Sequence, residues 1–225
     1  MGFQIYNWLE RYVQEVVSTF GHRIWFIGIQ GSYARGEESE DSDIDIVLIL
    51  DQMQLSDLRR YRSMLNRLPN REKVCGFVSG KKELENWSKQ ELFQFCQDTM
   101  PIKGSLEEIV AKLEIQDVKR AVHTEACRIY HTVCHNLIHE QQKQILIDMY
   151  KCAVFVLQAE YFLRSGTYLR RKSELFPKLS GIDREILYIA TEMKKKSGKI
   201  SESLDELSEK LIVWASDLIT KYQDI

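Results

Sequence analysis

No run of about 18 consecutive apolar residues occurs in the 225-residue chain, so no membrane-spanning helix is expected. The opening residues alternate polar and apolar side chains and lack the unbroken apolar block of a secretion signal. Cysteine is sparse: Cys75, Cys96, Cys127, Cys134 and Cys152 are odd in number and show no C-x-x-C spacing. That pattern predicts reduced core thiols in a cytoplasmic protein. A strong charge of either sign is also missing. The formal charge is −2 and the pI about 6.2, which argues against a general nucleic-acid binder. There is no internal repeat and no low-complexity tract. What is present is an ordinary apolar content of 44 %, enough for a real core in one large domain or two small ones.

The most informative stretch runs from Gly31 to Val47, G-S-Y-A-R-G-E-E-S-E-D-S-D-I-D-I-V. Before it, Ile24 to Ile29 is β-branched and aromatic and reads as a buried strand. Gly31 breaks that strand, and small residues at such a turn let backbone N–H groups approach a phosphate closely. Ser32 adds a hydroxyl. Ala34 to Glu37 starts a short helix, whose N-terminal end favours an anion. From Asp43 to Leu50 the order Asp-Ile-Asp-Ile-Val-Leu-Ile-Leu alternates. Residues two apart on a strand share a face. Ile44, Ile46, Leu48 and Leu50 are therefore expected toward the core, with Asp43 and Asp45 on the other face, roughly 7 Å apart at Cα. Two carboxylates so placed repel unless cations lie between them. Paired Mg2+ ions with oxygen ligands are an established arrangement for phosphoryl chemistry. The plain alternative, a loop-end acid and a solvated strand acid, is disfavoured by the Gly-Ser turn upstream and the strands on both sides.

Gly31-Ser32, the extension Ala34-Arg35-Gly36 and Ser42-Asp43-Ile44-Asp45 resemble the signature of the minimal nucleotidyltransferases of the DNA polymerase β-like superfamily. The resemblance implies a small mixed sheet with flanking helices, two Mg2+ ions and transfer of a nucleoside monophosphate from an NTP. It carries Asp43 and Asp45 over as catalytic metal ligands. It carries Gly31 and Ser32, with Arg35 of the extension, over as nucleotide-binding residues.

The rest of the chain fits that frame. Phe3 to Phe20 is an amphipathic helix with Ile5, Leu9, Val13, Val16 and Val17 along one side and Gly21 as its stop. Ser56 to Leu68 is a second helix with Ser56 as N-cap, ended by Pro69. Val74 to Val78 is a strand, Lys81 to Trp87 a short helix, and Leu92 to Cys96 a further short strand. Pro101 and Gly104 mark a loop, and Ser105 to Glu108 a helix start. After Gln116 long 3.6-residue periods take over. Their stripes are Ala126, Ile129, Tyr130, Val133, Leu137; then Ile145, Met149, Ala153, Val156, Leu163; then Leu204, Leu207, Leu211, Trp214, Leu218. Lys194 to Gly198 is a solvated turn. The prediction is an α+β chain: residues 1–115 form an N-terminal nucleotidyltransferase-type mixed β-sheet with flanking helices. Residues 116–225 form an all-α helical bundle on the acceptor side.

The superfamily usually supplies a third carboxylate from a later strand. The expected place, Val74 to Val78, reads Val-Cys-Gly-Phe-Val and holds no acid; Asp98 is the first substitute and Glu72 the second. The expected partners are an NTP and a hydroxyl acceptor, on a small antibiotic-like molecule or on a protein; no membrane is expected, and a homodimer is left open. The alternative is a degenerate, antitoxin-like regulatory protein that binds nucleotide without transfer. In the bundle, Arg170, Arg171 and Lys172 could reach a triphosphate, although a solvated basic bend is the simpler reading. His131, His135 and His139 share a face at zinc-compatible spacing but lack a fourth ligand. Arg128 and His135 loosely fit the Arg-x6-His ribonuclease spacing of the higher eukaryote and prokaryote nucleotide-binding helical domain, with Ile129 where a polar residue is usual.

Overall fold

The computed structural model describes residues 4–194 and 201–223. Its elements fall into two units, Met1–Ser88 with Phe95–Lys112, and Lys89–Gln94 with Leu113–Ile225. The turn expected at Lys194 to Gly198 falls largely on 195–200, outside the described residues.

The first unit holds α1 (Ile5–Phe20), β1 (Ile24–Ile29), α2 (Gly31–Arg35), β2 (Ile44–Leu50), α3 (Leu55–Leu65), β3 (Val74–Gly80), α4 (Lys81–Glu85), part of α5 (Lys89–Asp98), β4 (Met100–Lys103) and α6 (Glu107–Val110). The strands form one mixed sheet in the order β3-β2-β1-β4. β1 runs antiparallel to β2 and β4, and β2 runs parallel to β3. Ile44, Ile46, Leu48 and Leu50 pack on one side of β2 against Trp8, Tyr12, Val16 and Phe20 of α1 and Tyr61, Met64 and Leu65 of α3. Val47 and Ile49, pointing the other way, are also fully buried, so β2 is covered on both faces along most of its length.

The inner face of α1 differs from the expected one. It is the aromatic row Trp8, Tyr12, Val16 and Phe20, while Ile5, Leu9 and Val13 flank it and Val17 is exposed. Large rings bury more apolar surface than aliphatics, and here they also find polar partners. Trp8 Nε1 donates to the Pro69 carbonyl at 2.8 Å, and the Tyr12 and Tyr61 hydroxyls bond at 2.9 Å.

Two further expectations are corrected. Leu92 to Cys96 is helical, within α5, because Leu92, Phe93 and Cys96 bury one side at helical spacing. A short apolar run does not by itself separate helix from strand. The fourth strand is instead Met100–Lys103, where Pro101 had suggested a loop. Pro101 pairs with Gly28 on an edge strand, the position where a missing N–H is tolerated.

Helix α3 starts at Leu55, one residue before the expected Ser56 cap, and Gln54 is the N-cap. The Gln54 N–H donates to Asp57 Oδ2 at 3.1 Å, and Arg23 donates to both Asp57 oxygens at 2.7 and 3.0 Å. The Arg23 hydrogen bonds hold the buried Asp57 carboxyl below the usual carboxylate range. This contribution is complete above the unfolded-state value, near pH 4, and is lost as pH falls through the folded value. Asp57→Asn should therefore cost about 1.5–3 kcal/mol near neutral pH. It should also flatten the acid limb of the stability curve, checked by urea melts at pH 7 and pH 3.

The second unit holds α7 (Ile115–His135), α8 (Lys143–Ser165), α9 (Lys172–Leu175), α10 (Gly181–Lys194), α11 (Leu204–Lys221) and the start of α5. It is helical throughout among the described residues. Its core joins Val122, Ala126, Ile129 and Val133 to Tyr150, Ala153, Val156 and Leu157, and to Leu207, Leu211, Trp214 and Leu218. Two buried polar tips are paired: Tyr150 donates to the Leu207 carbonyl and Trp214 to Asp183, both at 2.9 Å. Among the described residues no helix is long and apolar enough to cross a membrane.

Candidate active site

β1 delivers the chain to Gln30, which is held from both ends. Its backbone N–H donates to the Asp45 carbonyl at 2.8 Å. Its side-chain amide donates to Thr99 Oγ1 at 2.6 Å and to the Phe95 carbonyl at 3.3 Å. Thr99 is buried, so the start of the turn is anchored to the C-terminal end of α5. Sequence reading missed this anchor because Gln30 and Thr99 lie 69 positions apart.

Gly31 follows at φ +68°, a left-handed conformation that a side chain disfavours. A Cβ placed there would lie 2.0 Å from Asp45 Oδ2. A side chain at position 31 would therefore have to displace the Asp45 carboxylate as well as strain the backbone. Helix α2 begins at Gly31, earlier than the Ala34 start expected, and ends after Arg35 on left-handed Gly36, with the Glu37 N–H donating to the Ser32 carbonyl at 2.9 Å. Ser32 and Arg35 are half-buried on this short element. Arg35 lies 3.4 Å from Glu37, and its charge also acts on Asp45.

The two aspartates arrive differently. Asp43 is exposed and precedes β2, after a loop in which Ser42 Oγ accepts the Ser39 N–H at 2.9 Å. Asp45 is half-buried within β2, on the face opposite Ile44 and Ile46. Burial first, and the Asp43 charge second, raise the Asp45 carboxyl above its ordinary value; Arg35 opposes them. A half-buried carboxylate beside a second acid is a donor set suited to a hard divalent cation. The donor chemistry of Asp43 and Asp45 is thus compatible with Mg2+.

The parallel ladder sets Cys75 of β3 opposite Asp45, on the same face of the sheet and exposed. Phe77, two residues further, packs edge-on against Trp87 at 5.5 Å and Phe95 at 5.0 Å. The register position beside Asp45 thus holds a thiol. Glu72 is exposed in the turn before β3. Asp98 ends α5, next to the Thr99 that holds Gln30. Among the described residues no group of three or more His, Cys, Asp or Glu side chains is arranged to hold a metal.

The other singled-out residues lie in the second unit. His131 and His135 have ring centroids 6.2 Å apart, and His135 and His139 4.7 Å. His139 belongs to the π-helical turn Asn136–Glu140. Arg128 is engaged by Glu125 and, at 2.7 Å, by Cys152 Sγ; the Glu125 hydrogen bond raises its already high pKa. The bend at Tyr168 to Lys172 is held by buried Gln158, which donates to the Leu169 and Arg170 carbonyls, each at 2.9 Å.

Comparison with known proteins bears on the family and the fold. Residues 9–131 match the family model described as a nucleotidyltransferase domain. A relative from Methanocaldococcus jannaschii, provisionally named a protein adenylyltransferase, is 34 % identical over 68 residues, 29 % of this chain. The chain spans 65 % of that relative's length. A crystal structure of spectinomycin adenyltransferase AAD(9) from Enterococcus faecialis, with ATP and spectinomycin, is similar in fold. Its TM-score is 0.59 at 10 % identity, over 97 % of this chain and 99 % of that one.

Proposed function

The chain belongs to the nucleotidyltransferase-domain family, and from this premise we propose that it transfers AMP from ATP to a hydroxyl on a small molecule or a protein. One observation carries the reading: the Gly31 turn and the Asp45 carboxylate are packed so closely that a single added carbon would displace the carboxylate. Phosphate cradle and cation holder are one construction. ATP is favoured as donor, and the two acceptor classes as targets, because the similar proteins bear adenyl-transfer names with antibiotic and protein acceptors.

In this mechanism the Gly31-Ser32 turn receives the β- and γ-phosphates through backbone N–H groups and the Ser32 hydroxyl. The Gln30 anchor to Thr99 and Phe95 fixes the turn before the nucleotide arrives. Asp43 and Asp45 would hold Mg2+, two ions by family resemblance, which would supply neutralisation of the triphosphate charge. Arg35 tempers the repulsion between the two acids. The acceptor hydroxyl oxygen bonds to the α-phosphorus as the bond from that phosphorus to the α–β bridging oxygen breaks; pyrophosphate leaves and the hydroxyl proton passes to water or a phosphate oxygen. Positioning and charge complementarity supply most of the acceleration. The five free thiols fit a cytoplasmic setting.

A second reading, a nucleotide-binding regulator without transfer, is favoured by Cys75 at the register position beside Asp45. Calorimetry with ATP and Mg2+, followed by labelled transfer to aminocyclitols, simple alcohols and proteins, separates the two. Binding with label transferred supports the transferase; binding without pyrophosphate release supports the regulator. No ATP binding with or without Mg2+ sinks both. Cys75→Asp gives a further check. A general base contributes about 100- to 10,000-fold, so an acid at this position should raise turnover toward the lower figure with the ATP KM little changed. An unchanged rate would show that position 75 does not reach the reacting hydroxyl.

A further inference from the structure

Helices α1 and α3 cover the sheet face opposite Asp45. Between the last turn of α1 and the outer side of α3 lies a surface pocket of about 290 Å3 lined by Thr19, Arg59, Arg60, Ser63 and Arg67. Its size is just below the usual range of ligand pockets, roughly 300–1,000 Å3, and suits a small ion. Arg59, Arg60 and Ser63 reach it together because neighbours three and four apart share a helix face, and Arg67 joins them from the turn that follows α3. From Leu55 to Arg71 the sequence holds five arginines and no lysine. Arginine presents a planar fork that matches the oxygens of a phosphate, which a lysine point charge does not.

The three guanidinium groups are held in different ways. Arg60 donates to the Thr19 carbonyl, capping the end of α1, and lies over the Phe20 ring at 5.4 Å. Arg67 contacts Glu15 at 3.1 Å in a solvent-exposed pair and also reaches the Ser63 carbonyl at 3.5 Å. Exposed pairs of this kind are weak and exchangeable. Arg59 is exposed and makes no hydrogen bond or ion pair among the described residues. Three positive charges thus line one pocket; the carboxylates acting on them are Glu15, paired with Arg67, and Asp57, whose charge acts on Arg60. Two hydroxyls, Ser63 and Thr19, line the same space; the Thr19 hydroxyl donates to the Glu15 carbonyl at 2.7 Å and keeps its acceptor lone pairs.

We infer that this pocket is a second anion site, built for a phosphate or diphosphate group and separate from the nucleotide turn. Arg60 supplies a preorganised wall, Arg59 a free fork, and Arg67 a fork that exchanges Glu15 for the ligand. The inference is independent of the transfer reading, since none of these residues lies on the Asp45 face.

The test uses the full-length protein, with inorganic pyrophosphate and phosphate as probes, titrated calorimetrically at low ionic strength in EDTA. Chelation removes the divalent cations through which the Asp43–Asp45 site would hold pyrophosphate. Pyrophosphate should bind more tightly than phosphate, and both far more tightly than chloride at equal ionic strength. The double variant Arg59→Gln/Arg67→Gln should weaken pyrophosphate at least tenfold, while Mg2+-ATP binding in a separate titration stays at the parent value. Glu15→Gln should act in the opposite direction and tighten pyrophosphate several-fold, because Arg67 no longer has to leave a partner. Absence of pyrophosphate binding in EDTA, or equal binding by the parent and the double variant, would overturn the site. Absence of Mg2+-ATP binding in the parent would count against the proposed function, in either of its readings, and leave this site standing.

Discussion

Asp45→Asn is expected to remove Mg2+-dependent ATP binding and to lower transfer by about 1,000-fold or more, the equivalent of about 4 kcal/mol or more of lost stabilisation. The reason is local. Asp45 is the half-buried member of the acid pair, and Asp43 alone is exposed and outside the strand. The fold should survive. Asparagine keeps the shape, and the bond from the Gln30 N–H to residue 45 uses a backbone carbonyl. The thermal midpoint without metal should be unchanged or higher, since the substitution removes a negative charge that burial and Asp43 both disfavour. Opposite signs in activity and stability separate loss of a cation holder from simple damage. Wild-type Mg2+-dependent binding in this variant would show that the site lies elsewhere.

Gly31→Val should be the most damaging change at the turn. Forcing a side chain into the left-handed region costs about 1–2 kcal/mol even without crowding. Here the first added carbon would also sit 2.0 Å from Asp45 Oδ2, so the carboxylate must leave its place. Stability and nucleotide affinity should fall together, with ATP binding lost in calorimetry. Ser32→Ala is the contrast: it removes one hydroxyl, should weaken ATP by about 1–3 kcal/mol and should leave the fold alone. Equal ATP affinity in the parent and both variants would rule out this turn as the phosphate cradle.

The α+β architecture was legible because its signals are periodic. The alternation from Ile44 to Leu50 set the core face of β2, and the stripe through Leu207, Leu211, Trp214 and Leu218 set the inner side of α11. The run Leu92 to Cys96 was not legible, since five apolar-rich residues satisfy either period. β4 escaped because Pro101 signals a break, and only the sheet order makes it an edge. At the site, the residue types and their spacing pointed to Gly31, Ser32, Asp43 and Asp45, but the contact between glycine and carboxylate needed three dimensions. So did the Gln30 anchor and the place of Cys75, which depend on pairings 69 and 30 positions apart that no local pattern encodes.

The edge strand Met100–Lys103 bears on how the protein behaves when crowded. A sheet edge is a template on which a second chain can add a strand, and long apolar edges drive aggregation. This one is four residues long and exposed throughout, lacks one N–H at Pro101 and ends on Lys103. It offers an incoming strand a short, gapped and charged ladder, so the β1 side of the sheet is closed to growth without any helix having to cover it.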